Sequence, residues 1–358
     1  MGFIIFRCSL VSDLDKVGFA VVGLGVIGQV HASNISSLEE CRLVAVVDQV
    51  RERAEETGRR LGATPYNSID DALKNPEVEA VVIATPSYLH APQALYALQH
   101  GKHVLVEKPM ATTLRGARLI VRTAERMRLR LGVVFQERFL EAARRLKEAL
   151  SNGLLGRVYL IEAELKWWRG ESEYYRSDPL ACSWRGYWET EGGGVLMNQA
   201  IHTIDLILWL GGDVEKVSGI TANALHPSIE VEDVATAVIK FKNGSLGAIS
   251  ATVNTRPTTR QYRKIRVYGE KGHAEIHDLS LSMWLDDGEV NVDGSMISFG
   301  ELHRKLAAEF ASCIRRGDEF PVEGTEGIKS IELIKAIYLS SERGEIVSLP
   351  LIEGEDSL

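Results

Sequence analysis

The sequence predicts an α/β part followed by an α+β part: a doubly wound parallel sheet, then a domain with a large, open, mostly antiparallel sheet and helices. Three observations predict this. Short Val- and Ile-rich runs alternate with helical runs up to about residue 136, as in a parallel sheet covered on both faces. The first run leads directly into VVGLGVIG (21–28), a strand followed by a glycine turn and a helix. From 214 to 299 the segments become short, rich in Val, Ile and Thr, and are punctuated by Asn243-Gly244, Glu270-Lys271-Gly272, Asp287-Gly288 and Asp293-Gly294, as in antiparallel hairpins.

The elements follow in order. Residues 17–22 read as the first strand and 27–38 as the first helix. Residues 42–47 are the second strand, followed by a charged helix over 51–60. Ser68 caps a short helix over 68–73. Residues 79–84 are an inner strand, and 91–98 form a helix stopped by Gly101. A strand at 103–106, a long helix at 113–129 and a strand at 131–136 complete a dinucleotide-binding (Rossmann) domain, 1–138. The second domain, 139–358, opens with an amphipathic helix over 139–150 and a half-exposed strand over 157–168. It ends with helices at about 301–315 and 323–341. A sheet with one apolar face left open needs a cover, so a homo-oligomer formed through the C-terminal sheet is expected. The opening residues 1–8 fit either an extra strand or a tail.

The bulk properties exclude several classes. Hydrophobic residues make up 45% and charged residues 25%, ordinary for a globular protein. A formal charge of −8 argues against a broad nucleic-acid surface. No apolar stretch approaches the ~20 residues of a membrane span. Arg7, Asp13 and Asp15 interrupt the apolar start, which is wrong for a signal peptide. Cys8, Cys41, Cys182 and Cys313 are scattered without a CxxC pair, so no metal site is expected and the reducing cytoplasm is the expected setting.

The glycine turn carries the first chemistry. Gly23 permits the tight turn, Gly25 clears the path of a pyrophosphate, and Gly28 lets the helix pack on the strand, with Val26 and Ile27 between them. Asp48 closes the second strand, 20 residues beyond Gly28, where a carboxylate accepts hydrogen bonds from the adenosine ribose. It should also repel the extra phosphate of NADP, so NAD is the expected cofactor. Arg51 and Arg53 stand close by, and one of them (Arg53 is the candidate) could swing toward that phosphate. At the carboxyl end of an inner strand, ATPSYLH (84–90) offers Thr85 for hydrogen bonds near the cofactor. Pro86 stops the strand. His90 either faces the cleft or caps the next helix. The following strand ends in Glu107-Lys108-Pro109. Lys108 could hold a ribose or substrate hydroxyl and stabilise an alkoxide, with Glu107 supporting the turn.

In the second half, EGGGVLMNQAIHTIDLILWLGG (191–212) places Asn198, His202 and Asp205 on one face of an apolar helix. Three glycines let the backbone approach a ligand or a neighbouring domain closely. The polar triplet is either an internal hydrogen-bonded network or the seat of a histidine acid/base. Aromatics and arginines crowd the preceding segment. Trp167, Arg169, Tyr175, Trp184 and Arg185 are the substrate candidates, beside Lys108, Asn198 and His202. Aromatic faces suit sugar C–H surfaces, and arginines suit hydroxyl, carboxylate or phosphate groups. A domain interface would use the same residues.

Taken together, these motifs resemble the glucose-fructose oxidoreductase/inositol dehydrogenase (Gfo/Idh/MocA) family of NAD(P)-dependent sugar and cyclitol oxidoreductases. The resemblance rests on the GLGVIG turn, Ala84-Thr85-Pro86 with His90, Glu107-Lys108-Pro109 and the 192–212 helix. It implies that Lys108 contacts the nicotinamide ribose and the reacting hydroxyl, that its bond to Pro109 is often cis, and that His202 is catalytic. Many relatives carry aspartate where this chain has Asn198, so a carboxylate–histidine relay is replaced by an amide that orients hydroxyls. The Met197-Asn198-Gln199 version, preceded by Trp184-Arg185-Gly186, resembles a branch containing nucleotide-sugar 3-dehydrogenases. The implied reaction is reversible hydride transfer between NAD(P) and a secondary alcohol of a sugar, with a nucleotide-linked sugar as the first candidate. A free monosaccharide, anhydrosugar or cyclitol is the alternative, and a non-catalytic NAD-binding regulator a lesser one.

Overall fold

The computed structural model describes residues 16–294 and 297–352. The apolar start, read as a strand or a tail, lies outside the described residues. The first sheet is built from β1 (Val17–Val22), β2 (Cys41–Val47), β3 (Thr64–Tyr66), β4 (Ala80–Ile83), β5 (His103–Val106) and β6 (Leu131–Val133). All its pairings are parallel, in the order 3-2-1-4-5-6. All residues of β1 and β4 are buried, as expected of inner strands covered on both faces. Helices α1 (Val26–Ser37), α2 (Arg51–Leu61), α3 (Ile69–Leu73), α4 (Ser87–Gln99) and α5 (Leu114–Met127) connect the strands. Ser68 caps α3 by accepting from the Asp70 N–H. Helix α4 starts at Ser87, earlier than expected, and carries Pro92 inside it. Strand β3, with Pro65 in its middle, is too short for any periodicity to reveal. Because the strands are parallel, the segments after β1, β2, β4 and β5 all emerge at one edge. The order reverses between β1 and β4, which leaves a crevice there.

The second sheet has nine strands. Helix α6 (Glu141–Ser151) leads to β7 (Val158–Lys166); α7 (Pro179–Trp184), α8 (Trp188–Glu191) and α9 (Ile201–Gly211) follow. Then come β8 (Val214–Ala222), β9 (Val234–Phe241), β10 (Leu246–Thr252), β11 (Tyr262–Gly269), β12 (Gly272–His277), β13 (Ser280–Leu285) and β14 (Gly288–Val292). Helices α10 (Phe299–Arg316) and α11 (Gly324–Arg343) and the short β15 (Val347–Ser348) end the described chain. The order is 14-13-12-11-7-10-9-8-15. Only the central β7–β10 pair is parallel. Strand β9 shows why one face is core: Ala235, Ala237, Ile239 and Phe241 are buried, while Thr236 and Val238 are exposed. Helices α6, α9 and α11 pack on the buried face.

The last helices return to the first sheet. Helix α10 packs on α1, and α11 packs on α5 and β6. The Val133 N–H donates to the Val322 carbonyl at 2.9 Å, in the loop between α10 and α11. This docking closes the crevice from one side. Among the described residues, no helix is long and apolar enough to cross a membrane.

Candidate active site

The crevice begins at the glycine turn. Gly23 adopts φ +86°, and a side chain there would strike the Ala84 carbonyl at 2.7 Å. A Cβ on Gly28 would lie 1.8 Å from the Gly23 carbonyl, so only glycine lets α1 sit this close to β1. A Cβ on Gly25 would meet nothing, because that position faces open space. Helix α1 starts there with no side-chain cap and no acid in its first turn. Its free N–H groups, with the exposed Val26 and the half-buried Ile27 beside them, suit a pyrophosphate. Asp48 is buried beneath the turn. Its Oδ2 accepts from the Leu24 N–H at 2.8 Å and its Oδ1 from the Val50 N–H at 2.9 Å. The Arg53 guanidinium stands 3.2 Å away. These residues fit NAD without rearrangement: a phosphate cradle, and a fixed carboxylate for the ribose.

The next two strand ends are joined by His90. It is buried, and its nitrogens lie 2.7 Å from the Pro109 and Thr85 carbonyls. The ring therefore faces no cleft; it ties the Thr85–Pro86 turn to the Lys108–Pro109 turn, whose peptide is cis. The Thr85 hydroxyl donates to Gln93 Oε1 at 2.7 Å. Pro86 precedes the first turn of α4.

Glu107 is also buried. Its Oε1 lies 2.8 Å from His31 Nε2, and its Oε2 accepts the Lys108 N–H at 3.1 Å. Burial pushes this carboxyl up, but the His31 hydrogen bond and the surrounding positive charge hold it down at about 2. Its carboxylate is thus spent on supporting the turn rather than on the cofactor. His303, from α10, stands edge-on to His31 at 5.4 Å. Sequence reading missed His31 and His303. Donor atoms of His31, Glu107 and His303 lie within 4.8 Å of one another, a grouping that could hold a metal ion. The His31–Glu107 hydrogen bond also braces the turn that carries Lys108.

Lys108 reaches across to the second domain, where its ammonium donates to the Asn198 carbonyl at 2.7 Å. Burial lowers its pKa, with Glu107 and Glu191 opposing. Asn198 does not sit on the same helix as His202. Residues Val195–Gln199 form a wider, π-type turn, and α9 starts at Ile201. The expected one-face triplet is also broken at Asp205. That residue is buried and ion-paired with Arg138 at 2.6 Å, with Glu326 also on Arg138 at 3.0 Å, a structural link. His202 lies between Phe135, edge-on at 5.9 Å, and the Lys108 region. Burial, and then the Lys108 charge, hold its pKa well below the ordinary histidine value, so the imidazole is neutral. Its Nδ1 has no hydrogen-bond partner.

The three glycines serve the fold. Side chains at 192, 193 and 194 would strike Thr112, the Tyr338 hydroxyl and the Glu232 carbonyl. Buried Glu232 accepts the Gly194 and Leu196 N–H groups at 2.7 and 2.9 Å, and the Tyr338 hydroxyl at 2.8 Å.

The aromatic segment divides in two. Tyr175, expected at the substrate, is instead buried with Ile229 and Val231 in a small separate core. Its neighbour Tyr174 takes the pocket position and donates to Asn198 Oδ1 at 3.1 Å. Adjacent tyrosines look equivalent in sequence; the local backbone decides which one turns inward. The Arg185 guanidinium stacks 4.2 Å above the Tyr174 ring and 5.2 Å from Trp184, and Arg169 lies 5.4 Å from Tyr174 and 4.9 Å from Trp167. Arg176 is occupied by the carbonyls of Tyr175, Arg185 and Ser228.

A Rossmann sheet with a free phosphate cradle, facing a lysine and a neutral histidine, defines an NAD-dependent oxidoreductase acting on a CH–OH group. Comparison with known proteins agrees. Residues 17–135 match the model of an oxidoreductase family with an NAD-binding Rossmann fold, and 143–275 match the GFO/IDH/MocA C-terminal domain. The chain belongs to the Gfo/Idh/MocA family. It is 33% identical to the WlbA dehydrogenase from Bordetella pertussis, solved in complex with NADH and UDP-GlcNAcA. That match covers 94% of this chain and 100% of the other, with a TM-score of 0.82. Myo-inositol 2-dehydrogenase of Thermotoga maritima is 27% identical over 346 residues, 93% of this chain and 99% of that one. Levoglucosan dehydrogenase, solved with NADH and levoglucosan, shares the fold at a TM-score of 0.84 and 22% identity, covering 94% of this chain and 100% of its own.

Proposed function

We propose that the protein reversibly oxidises a secondary hydroxyl of a nucleotide-linked sugar acid, with NAD as acceptor. One observation carries the substrate class: Arg169 and Arg185 flank Tyr174 beside Asn198, and neither has a carboxylate partner among the described residues. The glutamates that could have neutralised them are engaged elsewhere. Glu164 and Glu162 lie 2.8 and 3.9 Å from Arg266. Glu171 accepts the Ser228 N–H, and Glu173 the Ser172 hydroxyl. Each donates to one main-chain carbonyl, Arg169 to Trp168 and Arg185 to Tyr174, and neither makes a direct ion pair among the described residues, so two guanidiniums in this partly buried wall favour an anionic ligand. The likeness to a dehydrogenase that holds UDP-GlcNAcA supports the same reading.

The 23–28 turn and Asp48 would hold NAD, which would supply the hydride acceptor. His202, neutral at physiological pH, takes the hydroxyl proton as the C–H bond breaks. The Lys108 ammonium stabilises the alkoxide as it forms, and Asn198 with Tyr174 holds a neighbouring hydroxyl. A neutral cyclitol is the second reading, favoured by the full-length likeness to an inositol dehydrogenase. The deciding measurement is NADH formation from UDP-GlcNAcA beside myo-inositol and levoglucosan. Turnover of the neutral compounds alone, indifferent to added UDP, would discard the nucleotide-sugar reading.

We also propose a homo-oligomer. Ile220, Val238 and Leu246, on adjacent strands β8, β9 and β10, are 72%, 62% and 55% exposed on the uncovered sheet face. A second copy is the occupant that fits an enzyme of this family with no other cover. A monomeric mass by light scattering at micromolar concentration would refute it. Cys41, Cys182 and Cys313 are free, in keeping with a cytoplasmic setting.

A further inference from the structure

One buried acid in the site has no role in the chemistry above. Glu191 ends α8 at 1% exposure. Its Oε2 accepts the Gly186 N–H at 2.6 Å, and its Oε1 accepts the Asn198 side-chain amide. The other end of that amide, Oδ1, accepts the Tyr174 hydroxyl, and the Asn198 main-chain carbonyl accepts Lys108. An asparagine amide can turn over, exchanging its NH2 and its oxygen, with almost no change of shape. Tyr174 does not prevent this, because a phenol both donates and accepts. Glu191 does once ionised, because a carboxylate only accepts and would face the amide oxygen; burial pushes its pKa up to about 8, against the Gly186 N–H and the Arg185 charge, so the lock tightens as the pH rises.

We propose that Glu191 is a positioning residue that sets the polarity of Asn198, turning its NH2 inward and presenting Oδ1, with Tyr174, as an acceptor toward the substrate hydroxyl. This rests on the active-site reading above. It also gives a reason for asparagine at 198. An aspartate there would put two acceptors face to face unless one held a proton. The charged and titratable groups around Glu191 are Lys108, Arg185, Glu232, Tyr174, Tyr175 and Tyr338.

Polarity can be exchanged by mutation without changing shape. Glu191→Gln keeps the Gly186 bond through its amide oxygen but points an NH2 at Asn198, which must turn over. Asn198→Asp sets a carboxylate against Glu191. The double variant restores donor against acceptor with every group still bonded. Four proteins are therefore compared: wild type, the two single variants and the double variant. Two readouts are taken, initial rates with NAD and UDP-GlcNAcA, and thermal unfolding of the NADH-bound protein from about pH 6 to about pH 8.5. Each single variant should lose ~10-fold in kcat/KM for the sugar with the KM for NAD unchanged, and the double variant should recover most of it. Burial already raises the Glu191 pKa, so wild type itself loses stability as the pH rises toward about 8; a second facing carboxyl adds to this, so Asn198→Asp should unfold at progressively lower temperature, relative to wild type, as the pH rises. The double variant should lose that slope. Additive losses in the double variant, or a retained pH slope, would overturn the proposal. A wild type that does not turn over UDP-GlcNAcA refutes the substrate reading instead, and the unfolding comparison then decides this one.

Discussion

The nucleotide turn and the substrate wall face each other across one crevice, yet they are built in opposite ways. The turn is contiguous: residues 23–28, one acid after the next strand, and recognition by the main chain. The wall is assembled from Lys108, the 169–185 segment, the 191–202 turn and the loop holding Glu232, and it recognises ligand through side chains held by other side chains. A main-chain site fails by steric exclusion, whereas a side-chain site fails by lost polarity or charge. The largest expected effect lies on the wall side. His202→Ala or Lys108→Ala should lower kcat by ~10²–10⁴ while leaving NAD affinity, measured by titration, within about twofold. The pH profile sharpens this assignment. A base must be neutral to act, so activity through His202 is present above its pKa and lost as the pH falls through it. Because burial and Lys108 depress that pKa, the acid limb of kcat/KM should lie below the ordinary histidine value of ~6.5. Near-normal turnover by His202→Ala would transfer the role of base to another group.

The same contrast explains what the sequence made legible. The glycine turn, Asp48 and Lys108 announce themselves because strand-end placement is a local property: once β1, β2 and β5 exist, the residues after each must be at the crevice. His90 sits in an equally suggestive place, yet two main-chain carbonyls occupy its ring. One of them belongs to Pro109, 19 positions away in sequence, and its nearness is a tertiary contact that no local pattern reports. Asp205 keeps helical spacing from His202 but meets Arg138, 67 positions away in sequence. Glu191 opened the most conspicuous segment of the second half and still carried no signal. Its partners, Gly186 and Asn198, are set by the αL turn at Gly192 and the π-type turn after Gly194. Periodicity presumes a regular helix and cannot report such turns. His31 had a signal that could have been used: it lies one helical turn beyond Gly28, on the buried side of α1.

A second prediction separates fold from recognition within the turn itself. Gly28→Ala places a methyl group 1.8 Å from the Gly23 carbonyl, backbone against backbone, and α1 must move off the sheet. A loss of ~3 kcal/mol in unfolding free energy without cofactor is expected, as for overpacking at a rigid site. Gly25→Ala meets no protein atom, so cofactor-free stability should hold within about 1 kcal/mol while NAD affinity falls by tenfold or more. Chemical denaturation of the cofactor-free protein, paired with NADH titration, tests both variants. If Gly25→Ala binds NADH like wild type, the pyrophosphate does not lie over that residue.

The smallest effect concerns the one place where the turn does depend on a side chain. Asp48 already accepts two main-chain N–H groups and lies beside Arg53, so its carboxylate is fixed in place before any ribose arrives. A fixed negative charge there binds the ribose hydroxyls of NAD and opposes the added phosphate of NADP. Asp48→Ala should weaken NAD by ~10-fold, about the value of one charge-assisted hydrogen bond. It should weaken NADP less, because the repulsion goes too and Arg53 is released to meet the phosphate. The gap between the cofactors should therefore shrink mainly from the NAD side. Arg53→Ala on that background should then cost NADP affinity and leave NAD unchanged, which isolates the arginine from the acid. Binding constants for both dinucleotides in the wild type and the two variants give the comparison. A wild type that binds NADP as tightly as NAD would show that Asp48 does not discriminate, and that Arg53 already turns toward the phosphate in the intact turn.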